Sequence, residues 1–140
     1  MNDEGKVKQA VPFFMIADME RSLRFYVDGI GFERTNQWLV DGKIRWCWLD
    51  LGGASLMLQQ YKDGDRRFDG TEGPRGRGVT VCFQCEDAIA FYHAAKSRGL
   101  SPKRPFVGNN MWDVVIVDPD GYILHFESPT DVPEETEYEG

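Results

Sequence analysis

A chain of 140 residues with 41% hydrophobic and 28% charged residues has the size and make-up of one ordinary domain with a real core. A formal charge of −7, much of it in residues 131–139, argues against nucleic acid as a partner, because phosphate contacts need clustered Lys and Arg, and favours a cationic small molecule. No apolar run reaches the roughly 20 residues of a membrane helix, and residues 1–10 do not read as a secretion signal, so the expectation is a cytoplasmic protein with no membrane partner.

Residues 11–17, Val-Pro-Phe-Phe-Met-Ile-Ala, form a short apolar run whose proline stands where a strand start tolerates it. Asp18 is placed to cap a helix over 19–28. Met19, Leu23, Tyr26, Val27 and Ile30 recur at spacings of three and four and make one buried face; Gly29 and Gly31 end the helix. Strands are expected over 32–40, 43–51 and 54–61, with Asp41-Gly42 and Gly52-Gly53 as turns. The first half therefore reads β-α-β-β-β.

Residues 62–78 are rich in Gly, Asp and Arg, lack periodicity, and read as a connector. Arg75-Gly76-Arg77 within it is a solvated loop rather than a nucleic-acid patch. The order then repeats. A strand spans 79–85. Glu86 or Asp87 caps a helix that runs to Arg98, with Ala88, Phe91, Tyr92 and Ala95 on its inner side, and Gly99 stops it. An interrupted strand over 101–108, a turn at Asn109-Asn110 and a strand over 111–117 follow. Asp118-Pro119-Asp120-Gly121 is a tight turn, with Pro fixing one φ and Gly accepting φ > 0. It hands over to a last strand, 122–128, where His125 and Glu127 share a face. Beyond Pro129 the chain is acidic and is expected to be mobile or to pack on a partner subunit.

Asp50-Leu51-Gly52-Gly53, followed by an apolar strand, repeats the layout of Asp118 to Gly121. Gly121 lies 68 residues after Gly53 (121 − 53 = 68), and His125 follows Met57 by the same interval, which points to an internal duplication. The division is a single domain, 1–140, with modules at 11–61 and 79–128, a connector at 62–78 and a tail at 129–140. Cys82-Phe83-Gln84-Cys85 has CxxC spacing, but strand positions three apart point to opposite faces and no second Cys/His pair stands at metal spacing. Cys47, Cys82 and Cys85 are therefore read as reduced structural thiols. His93 falls off the apolar face of its helix and reads as a surface residue.

Two such modules, opening on Val-Pro-Phe-Phe-Met-Ile-Ala-Asp-Met-Glu-Arg-Ser-Leu-Arg-Phe-Tyr and closing on Asp-Pro-Asp-Gly-Tyr-Ile-Leu-His-Phe-Glu, resemble the vicinal oxygen chelate superfamily over residues 11–130. Asp18, Ser22, Phe25-Tyr26, Gly31-Phe32 and residues 118–121 carry the resemblance. It implies an α+β fold of tandem βαβββ modules, each curling its sheet into half of a cleft with the helix on the convex side. It also implies frequent pairing as homodimers. Enzymes of this kind, among them glyoxalase I and extradiol dioxygenases, hold one divalent metal on ligands from the first and last strand of each module. Counting back six from Asp18 gives Pro12, and six from Glu86 gives Thr80; the positions after the two turns are Met57 and His125. Only His125 suits such an ion. The metal-free bleomycin resistance proteins are the better match, through Ala10-Val11-Pro12 and His125-Phe126. Those relatives sequester a cationic aromatic drug without chemistry. The expectation is a small-molecule binding protein with no cofactor and no metal. The alternative is an enzyme of the superfamily with an atypical or incomplete metal site at His125 and Glu127.

The candidate ligand-binding residues follow from which strand face lines the cleft. Thr80 and Gln84, with Cys82 between them, form the more polar face of their strand. Phe14 and Ile16 share the face of Pro12, and Gln59 that of Met57. His125 and Glu127 complete the wall. Trp46, Trp48 and Trp112 are flat surfaces on which a planar cation would stack.

Overall fold

The computed structural model describes residues 5–61 and 75–140; most of the expected connector, residues 62–74, lies outside them. In chain order the elements are β1 (Phe13–Ile16), α1 (Met19–Leu23), a π-helical continuation (Arg24–Ile30), β2 (Glu33–Val40), β3 (Lys43–Leu51), β4 (Ala54–Gln60), β5 (Thr80–Gln84), α2 (Ala88–Ser97), β6 (Phe106–Gly108), β7 (Met111–Val117) and β8 (Ile123–Pro129). They build two four-stranded sheets, ordered β1-β4-β3-β2 and β5-β8-β7-β6. In each, the first strand pairs parallel with the last and the others run antiparallel. This is the tandem βαβββ architecture.

The two helices start alike and end differently. Asp18 accepts a hydrogen bond from the Arg21 N–H, and Asp87 from the Ala90 N–H, each satisfying a donor that the helix leaves open. The first helix does not stop at Asp28. It widens into π geometry and runs through Gly29 to Ile30, and Gly31 at φ 112° closes it. A close approach explains why Gly29 stays helical. A Cβ there would stand 2.8 Å from the Leu100 side chain, so the second half packs on bare backbone. Arg98 donates to the Ile30 carbonyl at 3.2 Å, supplying a partner for the helix end from the other half.

One core joins the halves. Phe14, Ile16, Tyr26, Phe32, Leu49, Leu56 and Leu58 from the first half meet Phe83, Val114, Ile116, Leu124 and Phe126 from the second. Phe32 and Phe83 touch edge to face across the junction, with ring centroids 6.0 Å apart. The Asp118–Gly121 turn is the main polar junction. Tyr26 donates its hydroxyl to Asp118 at 2.7 Å, and the Ala17 N–H donates to Asp120 at 2.9 Å. Tyr122 both donates to the Met15 carbonyl and accepts from its N–H, at 2.9 and 3.1 Å.

The acidic tail pairs with the body of its own chain. The Val107 N–H donates to the Thr136 carbonyl, the Glu135 N–H to the Val107 carbonyl and the Tyr138 N–H to the Pro105 carbonyl, all within 2.9 Å. The tail thereby covers the open edge of β6, whose backbone groups would otherwise stand unpaired. Tyr138 packs edge-on against Trp112 at 5.7 Å.

Candidate functional site

The ladders decide which side chains share a face. In the first sheet Trp46 lies opposite Gln59, Trp48 opposite Met57, and Phe13 opposite Met57 on the other side. Trp46, Trp48, Met57, Gln59 and Phe13 therefore stand on the face away from the first helix. Cys47, Leu49, Leu56, Leu58 and Phe14 stand on the helix side, and all five are buried. In the second sheet Thr80, Cys82 and Gln84 pair with Ile123, His125 and Glu127, while Asp113 and Val115 pair with Glu127 and His125. All eight share the face away from α2. Each sheet thus has a packed face and an open face. The open ones still carry apolar surface, with Phe13, Trp38, Val117 and Ile123 exposed.

Two expected site residues are placed elsewhere. Phe14 points into the core, 5% exposed, stacked on Tyr122 at 4.0 Å. The acid that caps α2 is Asp87, not Glu86, so the first strands are offset by 69 residues (87 − 18 = 69) while the last strands are offset by 68. One residue of shift inverts every side chain of a strand. Phe13, not Pro12 or Phe14, is the open-face counterpart of Cys82 (82 − 13 = 69). Ile16 shares the parity of Phe14 and is likewise fully buried. Trp112 lies opposite Val107 and Ser128, on the packed face. It lines a separate hollow of about 640 Å³ with residues 135–140 of the tail.

The open face of the second sheet gathers groups that can do chemistry. His125 Nδ1 lies 2.9 Å from both oxygens of Asp113, and the two side chains are only 24% and 10% exposed. Burial pushes the Asp113 carboxyl above its ordinary range, His125 pulls it back and Glu127 adds to the rise. Gln84 donates to Glu127 at 2.7 Å. The Cys82 thiol is held above its usual range by burial and then by the charges of Glu127 and Asp113. Asp113 is absent from the expected site residues. Its signal in the sequence is a lone carboxylate inside the apolar strand Trp-Asp-Val-Val-Ile-Val.

The open face of the first sheet has its own anion. Asp50 accepts from Ser55, from the Trp48 indole N–H at 2.9 Å and from Thr35 at 2.8 Å. These bonds hold its carboxyl below the usual range. A fixed carboxylate therefore sits at the rim of Trp48.

A metal centre drawn from both halves does not fit these residues. On the first sheet the relevant open-face positions are Phe13 and Met57, which offer a hydrocarbon and a thioether. Thr80 is exposed, and its hydroxyl is a neutral donor. The second-sheet counterparts of Phe13 and Met57 are Cys82 and His125, so the groups with ligand chemistry all lie in one half.

The cysteines differ in ways a thiol reagent can read. Cys47 is buried and burial pushes its thiol to about 11, whereas Cys82 is exposed. A chromogenic disulfide reagent at neutral pH is expected to label Cys82 in the folded chain and to reach Cys47 only after denaturation. Labelling of Cys47 at the rate of Cys82 would contradict this placement. Cys85 points the other way from Cys82, its Sγ 3.7 Å from the Phe83 carbonyl, so the CxxC spacing does not bring the two thiols onto one face.

A family model described as Glyoxalase/Bleomycin resistance protein/Dioxygenase superfamily matches residues 8–126. None of the curated proteins matches the chain. Among solved structures, TnmS3, an antibiotic binding protein from Streptomyces sp. CB03234, is 21% identical, with a TM-score of 0.65 over 88% of this chain and 98% of its own. A bleomycin-binding protein complexed with bleomycin is 21% identical, with a TM-score of 0.64 over 87% and 98%. TioX from Micromonospora sp. ML1 is 18% identical, with a TM-score of 0.65 over 86% and 99%. At these identities the likeness is one of fold.

Proposed function

This chain belongs to the glyoxalase/bleomycin resistance protein/dioxygenase superfamily, and we propose that within it the chain is a small-molecule binding protein that sequesters a cationic aromatic ligand. One observation carries this reading. Trp46 and Trp48 stand side by side with Met57, half-buried on the sheet face away from the first helix, with Gln59 buried beside them, and the Asp50 carboxylate is hydrogen-bonded to the Trp48 indole. Indole faces attract planar cations, the thioether adapts to irregular outlines, and a carboxylate at the rim supplies the counter-charge. Among the described residues the first half offers Phe13 and Met57 where a metal centre shared between the halves would need ligands, which favours binding over metal-dependent turnover. The solved relatives described as binding bleomycin or an antibiotic support the same class of ligand.

We infer also that two copies pair in the cytoplasm, each covering exposed apolar residues of the other, such as Trp38 at 55% and Val117 at 44% exposure. Sedimentation of the purified chain tests this; a monomer at all concentrations refutes it. No described helix is long and apolar enough to cross a membrane.

Calorimetric titration with bleomycin and with a simple planar cation, acridine orange, tests the binding reading. At least one is expected to bind, and Trp48→Ala to weaken it about tenfold or more, as removal of a central aromatic anchor does. No heat from either compound, or binding untouched by Trp48→Ala and Trp46→Ala together, rejects it.

A further inference from the structure

We infer that the open face of the second sheet is a binding site for a thiophilic divalent cation, Zn2+ by preference, held by Cys82, His125 and Glu127. The parallel ladder between β5 and β8 sets Cys82 directly beside His125 and Gln84 beside Glu127, so thiol, imidazole and carboxylate leave the same face. Donor atoms of the three lie within 4.8 Å of one another. Metal–ligand lengths of roughly 2.0–2.3 Å place the donors of a tetrahedral site about 3.5 Å apart, a gap that side-chain rotations close without moving the backbone.

Three further features suit a cation. First, the charges on this face are one-sided. Asp113 and Glu127 are carboxylates, and among the described residues no Lys or Arg forms an ion pair with either. Second, His125 is already oriented. Asp113 holds Nδ1, which leaves Nε2 as the coordinating nitrogen, the arrangement by which carboxylates behind a ligating histidine fix its tautomer and raise its basicity. Third, Gln84 holds Oε1 of Glu127 and leaves Oε2 to coordinate. Binding converts the Cys82 thiol to a thiolate and releases its proton to solvent. One sulfur, one nitrogen and one oxygen select zinc over magnesium or calcium, and three protein ligands leave a fourth position open to water.

This site differs from a centre shared between the two halves, since all its donors come from one sheet. It stands whether or not a cationic aromatic compound binds to the first sheet, and its test is separate.

The full-length chain, reduced and stripped with a chelator, is titrated with Co2+ as a spectroscopic stand-in for Zn2+. A thiolate-to-cobalt charge-transfer absorption is expected to saturate at one equivalent per chain and to disappear when Zn2+ is added. Cys82→Ser is expected to abolish it, whereas Cys47→Ala and Cys85→Ala keep it. Asp113→Asn keeps the absorption but weakens affinity about 10–100-fold, the usual effect of losing such a partner. No absorption in the native chain, or one that survives Cys82→Ser, overturns the site.

Discussion

Phe126→Ala is expected to destabilise the chain by about 3–5 kcal/mol, the range for losing a fully buried aromatic side chain. Phe126 is 1% exposed and sits between two rings, stacked on Phe83 at 4.7 Å and on Phe91 at 3.8 Å. Phe83 comes from β5 and Phe91 from α2, so this one ring ties the second sheet to its helix. Its removal leaves a cavity that neither neighbour can fill without giving up its own packing. At this chain length roughly 3–5 °C is lost per kcal/mol, so thermal unfolding is expected some 10–20 °C lower. Phe126→Leu keeps most of the volume and is expected to lose less than half as much. Equal losses for the two variants would show that the ring stack, rather than the buried volume and the cavity left behind, carries the effect.

Asp118→Ala is expected to cost about 3–5 kcal/mol, although it removes only a small side chain. The Asp118 carboxylate accepts from the Tyr26 hydroxyl at 2.7 Å, the Asp120 N–H at 2.9 Å and the Tyr122 N–H at 2.8 Å. Bonds to charged groups are worth about 1.5–3 kcal/mol each, and the buried Tyr26 hydroxyl would be left without an acceptor. Tyr26→Phe removes only the donor and leaves Asp118 its two backbone partners, so it is expected to lose only about 1 kcal/mol. Urea unfolding of the two variants tests the contrast, and similar losses would contradict it.

The same carboxylate gives a pH signature. Burial raises Asp118 above the ordinary carboxylate range, while the bonds from Tyr26, Tyr122 and Asp120 act against the rise. The folded chain therefore binds this proton more tightly than the unfolded chain does. The part of the stability that comes from this bound proton is complete below the unfolded value of about 4 and is lost as pH rises through the folded value, while the bonds that the ionised group accepts remain. Asp118→Asn is expected to flatten that decline in urea unfolding at a series of pH values. An unchanged slope would assign the decline to other groups.

Much of the architecture was legible from local signals. Asp18 and Asp87 announce helix starts, Asp41-Gly42 and Asp118 to Gly121 announce turns, and the apolar runs over 111–117 and 122–128 announce strands. The duplicated order of elements made the α+β fold readable, and the polar face of Thr80, Cys82 and Gln84 is the open one. The first helix ran longer than its glycines suggested because Gly29 serves contact with Leu100 rather than termination. The tail read as mobile or as packing on a partner because its acidic composition hides the backbone pairing that holds it to β6.

The sequence by itself determined the elements, their order and their doubling, because caps, turns and alternation act over a few neighbouring residues. Only the tertiary structure decided that Phe13 rather than Phe14 faces outward, that Trp112 packs inward, and that Asp113 grips His125 beside Cys82. Those facts depend on inter-strand register, which joins residues far apart in the chain. A change of one position in a strand exchanges its two faces, and no local propensity records which way that exchange falls.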